Sequence, residues 1–193
     1  MGVKDTRRRI VDALVELHEE VGPAATTITA IAERAGVQRL TVYRHFPDDR
    51  ALLGACSSHW QEDHALPDPA TWTGIADPRC RLENALRGLY DYFRDGAPML
   101  ERILQDESEM PEVAEVMTPW WAYMREVAAG LSAGWGVSGD AQRLVCSAVG
   151  HALGIYTWRS LSDEGLSNQE AVELMVGLVA DVAAEPRGVS SPG

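Results

Sequence analysis

The sequence predicts an all-α fold, in which a small three-helix N-terminal domain precedes a larger helical domain. Apolar residues recur with helical spacing through most of the 193 residues. Gly22-Pro23 and a loop at 65–78 with several prolines separate these helical segments. No alternating apolar and polar stretch is long enough to support a sheet. We place the domain boundaries at residues 1–47 and 48–185, and expect 186–193 to be a flexible tail.

The first helix is predicted over Lys4–Val21, where an apolar stripe stops at Gly22-Pro23. Its opening turns carry the arginine run Arg7–Arg9. Surface charge and a role in phosphate contact are equally good interpretations of any one of these arginines.

Two short helices joined by a tight turn are predicted next, within Thr27–Phe46. Thr27 is a good N-cap residue, and an apolar stripe of isoleucine and alanine follows it. Gly36 stands where the chain leaves the helix, a position that favours the left-handed conformation open to glycine. In the second helix Val42 and Phe46 point inward, which leaves a polar, basic and aromatic face outward. Such a helix pair is typical of proteins that read the DNA major groove.

This segment resembles the helix-turn-helix of the TetR family of transcriptional regulators. The resemblance rests on T-I-x-x-I-A-x-x-A-G-V at Thr27–Val37, on T-x-Y-x-H-F at Thr41–Phe46, and on A-L-L at Ala51–Leu53. It implies a DNA-binding regulator that represses transcription. It also implies a double-stranded, palindromic operator and a small-molecule effector.

The resemblance implies a DNA-contacting role for nine residues. Thr27 would bind phosphate and Thr29 would approach the groove. Arg39 and Leu40 would meet base edges, and Gln38 would either contact a base or cap the helix. The remaining four would hold phosphates: Thr41, Tyr43, Arg44 and His45. Asp49 stands where many family members have lysine, so the phosphate contact there is lost or moved to Arg50.

Further helices are predicted at about 48–64, 79–95, 98–109, 111–134, 139–161 and 168–184. Large aromatic and thioether side chains in this part could line a pocket for a hydrophobic or planar effector, although such residues at helical spacing also form ordinary cores. These candidates are Tyr90, Phe93, Met99, Met117, Trp120, Trp121, Met124, Tyr156 and Trp158.

The last two long helices, 139–161 and 168–184, have the length and apolar faces to pair with a second copy as a homodimer. Gly150 and Gly154 would let another helix approach closely, either within the chain or across the dimer. The valines and methionine spaced to serve the same interface are Val172, Met175, Val176, Val179 and Val182.

The net charge of −12 is unevenly distributed along the chain. Residues 1–55 balance basic against acidic groups, so the whole excess of acid lies in residues 56–193. Attraction to phosphate must therefore come from local arginines, since the overall field repels DNA.

Other classes of function find little support. The sequence has no nucleophile elbow and no phosphate-binding loop, and Lys4 is its single lysine, so we expect no enzyme and no cofactor. It has no run of apolar residues that would span a membrane and no signal-peptide pattern, and its three scattered cysteines suit a cytoplasmic protein. Cys56, His59 and His64 leave open a metal-responsive regulator, although we expect no metal site. An effector-independent DNA-binding regulator is the other alternative.

Overall fold

The computed structural model describes residues 2–185, and these form helices without any strand. The predicted tail at 186–193 lies outside the described residues. The helices are α1 Val3–Val21, α2 Ile28–Ala35, α3 Arg39–His45, α4 Asp49–Asp63, α5 Ala70–Thr73, α6 Pro78–Asp106, α7 Pro111–Leu131, α8 Gly139–Ala152, α9 Ile155–Asp163 and α10 Asn168–Ala184. The predicted fold class is confirmed.

The chain divides into two compact units that do not follow the predicted boundary after residue 47. The first unit contains residues up to 65 together with 95–121, and the second contains 66–94 and the chain from 122 onward. Helices α6 and α7 each contribute to both units. The functional boundary at 47/48 therefore stays a prediction.

The first unit is built around α1. Its apolar stripe, including Ile10 and Leu14, is buried, and α2 and α4 pack against this helix while α3 packs against α2. A second cluster in the same unit joins α4 to α7, where Leu53 packs with Val113 and Met117. Burial of such side chains is worth about 1.5–3 kcal/mol each.

The second unit has an aromatic core beneath α8, α9 and α10. Phe93 and Trp158 are buried with their ring centroids 6.0 Å apart. The hydroxyl of buried Tyr90 donates a hydrogen bond to the carbonyl of Ala152 at 2.8 Å. Helix α10 packs on α8 and α9, so these three helices form a single intrachain layer.

The predicted break between helices at 95 and 98 is wrong, because α6 runs through Pro98 without interruption. A proline inside a helix removes one hydrogen bond, here the one to the carbonyl of Arg94. Both residues are exposed, so water can solvate that carbonyl.

The single helix predicted over 139–161 is instead two, α8 and α9, separated at Leu153-Gly154. Gly154 is extended, with φ −75° and ψ 132°, and serves as the N-cap of α9. The hydroxyl of Thr157 donates to the carbonyl of His151 at 2.7 Å, which satisfies a carbonyl at the end of α8. This local hydrogen bond competes with continuation of the helix.

The apolar stripe of α10 is turned into its own chain. Val172, Met175, Val176 and Val179 are buried, and Val182 is half-buried. Because these four side chains are already buried within the chain and α10 packs on α8 and α9, they offer little surface to a second copy. The large apolar side chains of α10 that are exposed are Leu174 and Leu178, one helical turn apart on the opposite side.

Candidate nucleic-acid interface

The α2–α3 pair is held in shape by backbone features at both ends of the turn. The Thr27 hydroxyl accepts a hydrogen bond from the Ala30 amide at 3.1 Å and caps α2. Gly36 is left-handed, with φ 63° and ψ 43°, and the Val37 amide donates to the Ala32 carbonyl at 2.9 Å. These bonds close the last turn of α2 and set the direction in which α3 leaves.

Helix α3 is anchored by one side and exposed on the other. Val42 and Phe46 are almost completely buried, as the sequence predicted. Leu40 is 59% exposed and Tyr43 46% exposed, an unusual degree for large apolar and aromatic side chains. A surface like this suits contact with a second molecule.

The nine residues nominated for DNA contact all lie on this one part of the molecule. Thr27, Thr29, Gln38, Arg39, Leu40, Tyr43 and Arg44 are exposed, and Thr41 and His45 are half-buried. Gln38 is the N-cap residue of α3, but its side chain makes no capping hydrogen bond. The structure therefore does not show the capping role, and the base contact of Gln38 stays a prediction.

The arginine run of α1 supports this helix pair, a role that the sequence analysis missed. The Arg7 guanidinium lies over the Phe46 ring, 4.9 Å from its centroid. Arg9 donates to the carbonyls of Ala35 and Gly36 at the end of α2. Spacing along the chain gave no signal of this, because the partners of both arginines lie more than 25 residues away.

The start of α4, where Asp49 replaces the lysine of many family members, carries two acidic groups. Asp48 caps the helix by accepting from the Ala51 amide at 2.8 Å, and Asp49 lies in the first turn. Arg50 Nη2 lies 2.5 Å from Glu115 Oε2 on α7. Arg50 would have to leave this ion pair to reach DNA, so the shift of the contact to Arg50 stays a prediction.

The three residues considered for metal binding have separate partners. Cys56 Sγ lies 3.3 Å from His18 Nδ1 in the core, and burial raises the pKa of this thiol to about 12, which disfavours a thiolate ligand. His59 pairs with Asp12, and His64 stacks on Trp60. Within residues 2–185 no three metal-ligating side chains come together.

The predicted effector residues are divided between the two units. Met99, Met117, Trp120 and Trp121 belong to the first unit, and Tyr90, Phe93, Met124, Tyr156 and Trp158 to the second. Tyr156 is 66% exposed, whereas Tyr90 and Phe93 are completely buried in side-chain packing. The effector role of these nine residues therefore stays a prediction.

The described chain also carries no helix long and apolar enough to cross a membrane.

Comparison with known proteins finds a family match that includes this segment. Residues 10–56 match the sequence model of the family described as bacterial regulatory proteins, tetR family. The chain is 30% identical over 105 residues to the HTH-type transcriptional regulator BetI of Burkholderia cenocepacia (strain HI2424), covering 52% of this chain and 53% of that protein. It is 28% identical over 115 residues to BetI of Paraburkholderia xenovorans (strain LB400), covering 56% and 57%. The chain thus spans about half the length of these curated relatives.

Solved structures extend the likeness of fold to nearly the whole chain. A TetR-like transcriptional regulator from Rhodococcus sp. RHA1 superposes with a TM-score of 0.66 at 19% identity, covering 93% of this chain and 97% of that one. The TetR family regulator PfmR from Thermus thermophilus gives 0.59 at 18% identity, covering 95% and 100%.

Proposed function

Since the chain belongs to the TetR family of transcriptional regulators, we propose that it is a homodimeric repressor that binds a palindromic operator and leaves it when a small hydrophobic or aromatic effector binds. The observation that carries the proposal is the exposed face of α3, with Arg39, Leu40, Tyr43 and Arg44 outward on a helix whose other side is buried. An operator on bacterial DNA would place the protein in the cytoplasm.

Arg39 and Leu40 begin the recognition helix and are the proposed base-reading residues. A guanidinium can hold guanine O6 and N7 with two hydrogen bonds, which gives about 1–3 kcal/mol of discrimination. The Leu40 side chain offers an apolar contact to a thymine methyl group. Tyr43 and Arg44, with Thr27, Thr41 and His45, would hold phosphates and fix the register.

The dimer is proposed to form through α8 and α10. Leu174 and Leu178 leave an apolar strip on the outside of α10, and Gly150 of α8 has open space beside it, where an added Cβ would meet no atom within 4 Å. A twofold contact through these helices would present two recognition helices roughly 34–36 Å apart, one turn of the duplex.

Effector response is proposed to act through α4. This helix follows the recognition helix directly, and α7 holds it through Leu53 packed on Val113 and Met117 and through the Arg50–Glu115 ion pair. An effector changes operator affinity only if it binds the two conformations unequally. An effector that displaces α7 would therefore move α4, and with it the recognition helix.

Selection of the purified protein against a random double-stranded DNA pool tests the proposal. We expect enrichment of a palindrome whose half-sites are centred about one helical turn, roughly 10 base pairs, apart. Failure to enrich any sequence at low salt would contradict sequence-specific binding. Enrichment of single half-sites only would contradict the dimer.

A further inference from the structure

The first unit contains a cavity of about 200 Å³ between α1, α2, α4 and the short connection from α6 to α7. It lies where α2 and α4 pack on α1, and none of the nine predicted effector residues lines it. An engineered cavity of about 150 Å³ lined by apolar side chains binds benzene, so this one is large enough for a single substituted ring. The large apolar side chains of its lining are Leu14, Ile28, Ile31, Leu52, Leu53 and Met110.

His18 is the buried polar side chain of this lining, at 3% exposure. Its Nδ1 lies 3.3 Å from the Sγ of Cys56. Its Nε2 makes no hydrogen bond to any residue between 2 and 185, and unlike the buried Nε of Arg81 it keeps accessible surface. An incoming polar atom can therefore reach Nε2, and this nitrogen gains a partner when it does.

The charges around the imidazole favour a neutral ligand. Burial lowers the pKa of His18 to about 4, against the charge of Asp106, so the ring is neutral at pH 7. Asp106 stands behind the lining, where its Oδ2 accepts from the Ala24 amide at 2.8 Å, and its charge repels an anion. An ammonium group beside His18 would be buried without a carboxylate in contact, because Asp106 does not line the cavity and Asp49 is exposed at its rim.

A hydroxyl group suits His18 Nε2 in either tautomer of the ring. The Cys56 thiol is neutral at pH 7, because burial raises its pKa to about 12. It can donate to Nδ1, which makes Nε2–H a donor, or accept from Nδ1–H, which makes Nε2 an acceptor. A hydroxyl both donates and accepts, so it pairs with Nε2 in both cases.

We infer that this cavity binds a small neutral phenol, with the hydroxyl group on His18 Nε2 and the ring among the apolar side chains of α2 and α4. The site belongs to the same unit as the helix pair and is separate from the nine predicted effector residues. It goes beyond the proposed function, because binding to it requires neither the operator nor the dimer.

Titration calorimetry on the full-length protein compares phenol with toluene, which has nearly the same shape and no hydroxyl group. His18→Phe keeps a ring of similar size and removes both nitrogens. The affinity ratio of phenol to toluene should fall by about 5- to 100-fold in this variant, the effect of leaving a buried hydroxyl group without a partner. His64→Phe makes the same substitution at a histidine outside the cavity and should leave the ratio unchanged.

Two neighbouring alanines test the location of the site. Ala24 and Ala25 are both exposed in the connection from α1 to α2, but only Ala24 lines the cavity. Ala24→Trp should cover the entrance and weaken the binding of phenol and toluene alike. Ala25→Trp is the matched control and should bind both probes like the unchanged protein, with circular dichroism confirming the helical content of each variant.

Nitrogen NMR of the unchanged protein gives a readout that needs no variant, since phenol should shift the Nε2 resonance of His18 and toluene should not. No binding of phenol, an unchanged ratio in His18→Phe, full binding by Ala24→Trp, or tighter binding of benzoate or benzylammonium than of phenol would overturn the assignment. Selection of an operator from random DNA does not depend on any of these outcomes. Failure of the phenol site is therefore distinguishable from failure of the proposed function.

Discussion

The two exposed arginines of α3 are expected to have different roles, although they lie on the same short helix. Arg39 begins the helix, where side chains reach base edges, and Arg44 lies in its last turn. Their buried neighbours Val42 and Phe46 fix the orientation of both. Comparison of the two therefore separates base reading from phosphate binding.

Arg39→Ala should relax base preference at one position of each half-site, with a loss of about 1–3 kcal/mol on the preferred sequence and little on its single-base variants. Fluorescence anisotropy with the selected operator and its single-base variants measures this. Arg44→Ala is the matched control and should weaken binding evenly while reducing the salt slope by about one. Unchanged specificity in Arg39→Ala would remove this residue from the base-reading group.

His18 is a buried imidazole whose titration affects the stability of the first unit. Burial lowers its pKa from 6.5 to about 4, although the charge of Asp106 acts in the opposite direction. The unfolded chain therefore binds a proton that the folded chain excludes. The contribution of neutral His18 is fully present above pH 6.5 and is lost as the pH falls towards 4, by about 3 kcal/mol in total.

His18→Leu should flatten the decline of the free energy of unfolding between about pH 6.5 and 4, because the leucine binds no proton in either state. Urea denaturation of both proteins across this range measures the difference in slope. The leucine also loses the contact with Cys56 Sγ, which shifts stability at every pH and leaves the slope comparison intact. Parallel curves for the two proteins would contradict the assignment.

At the scale of elements, the helix pair depends on a glycine that no other residue replaces well. Gly36 has φ 63°, and a Cβ there would lie 2.8 Å from Arg9 Nη2, the group that binds the carbonyls at the end of α2. A side chain at this position would both strain the backbone and displace the Arg9 guanidinium.

Gly36→Ala should lower the free energy of unfolding by at least about 1–2 kcal/mol, the cost of a left-handed alanine. Gly54→Ala is the control, because Gly54 lies inside α4 with no atom within 4 Å of an added Cβ. That change should stabilise the protein by about 0.4–1 kcal/mol. Thermal denaturation of the two variants measures whether Gly36→Ala destabilises the protein and Gly54→Ala stabilises it. Equal effects on stability would contradict the role assigned to the turn.

At the scale of the whole molecule, substitution of two exposed leucines is expected to have different effects, one on the dimer and the other on operator binding. Leu178 lies on the outer face of α10 and Leu40 on α3, at 49% and 59% exposure. Leu178→Glu should raise the dimer dissociation constant by about 100-fold or more, because a buried unpaired carboxylate costs several kcal/mol. Leu40→Glu should leave the dimer intact and abolish operator binding.

Sedimentation equilibrium of the two variants, with operator binding as the second readout, separates these effects. A dimeric Leu178→Glu protein would contradict the α10 interface. A Leu40→Glu protein that still binds the operator would contradict the position of α3 at the DNA.

Local patterns were sufficient to predict the elements that are proposed to contact DNA. The Thr27 cap, the left-handed Gly36 and the buried Val42 and Phe46 all depend on neighbours within a few residues. For that reason the sequence alone predicted the helix pair and its exposed face, together with the all-α class. Spacing over a single helical turn determines which of their side chains are buried and which are exposed.

Contacts between distant parts of the chain were decided only by the tertiary structure. Sequence spacing could not show that Arg9 binds the end of α2, or that the valine stripe of α10 faces its own α8 and α9. Nor could it show that His18, Ile31 and Leu52 line one cavity. An apolar stripe specifies that a helix face is buried but not which partner buries it, and that choice depends on packing among residues far apart in sequence.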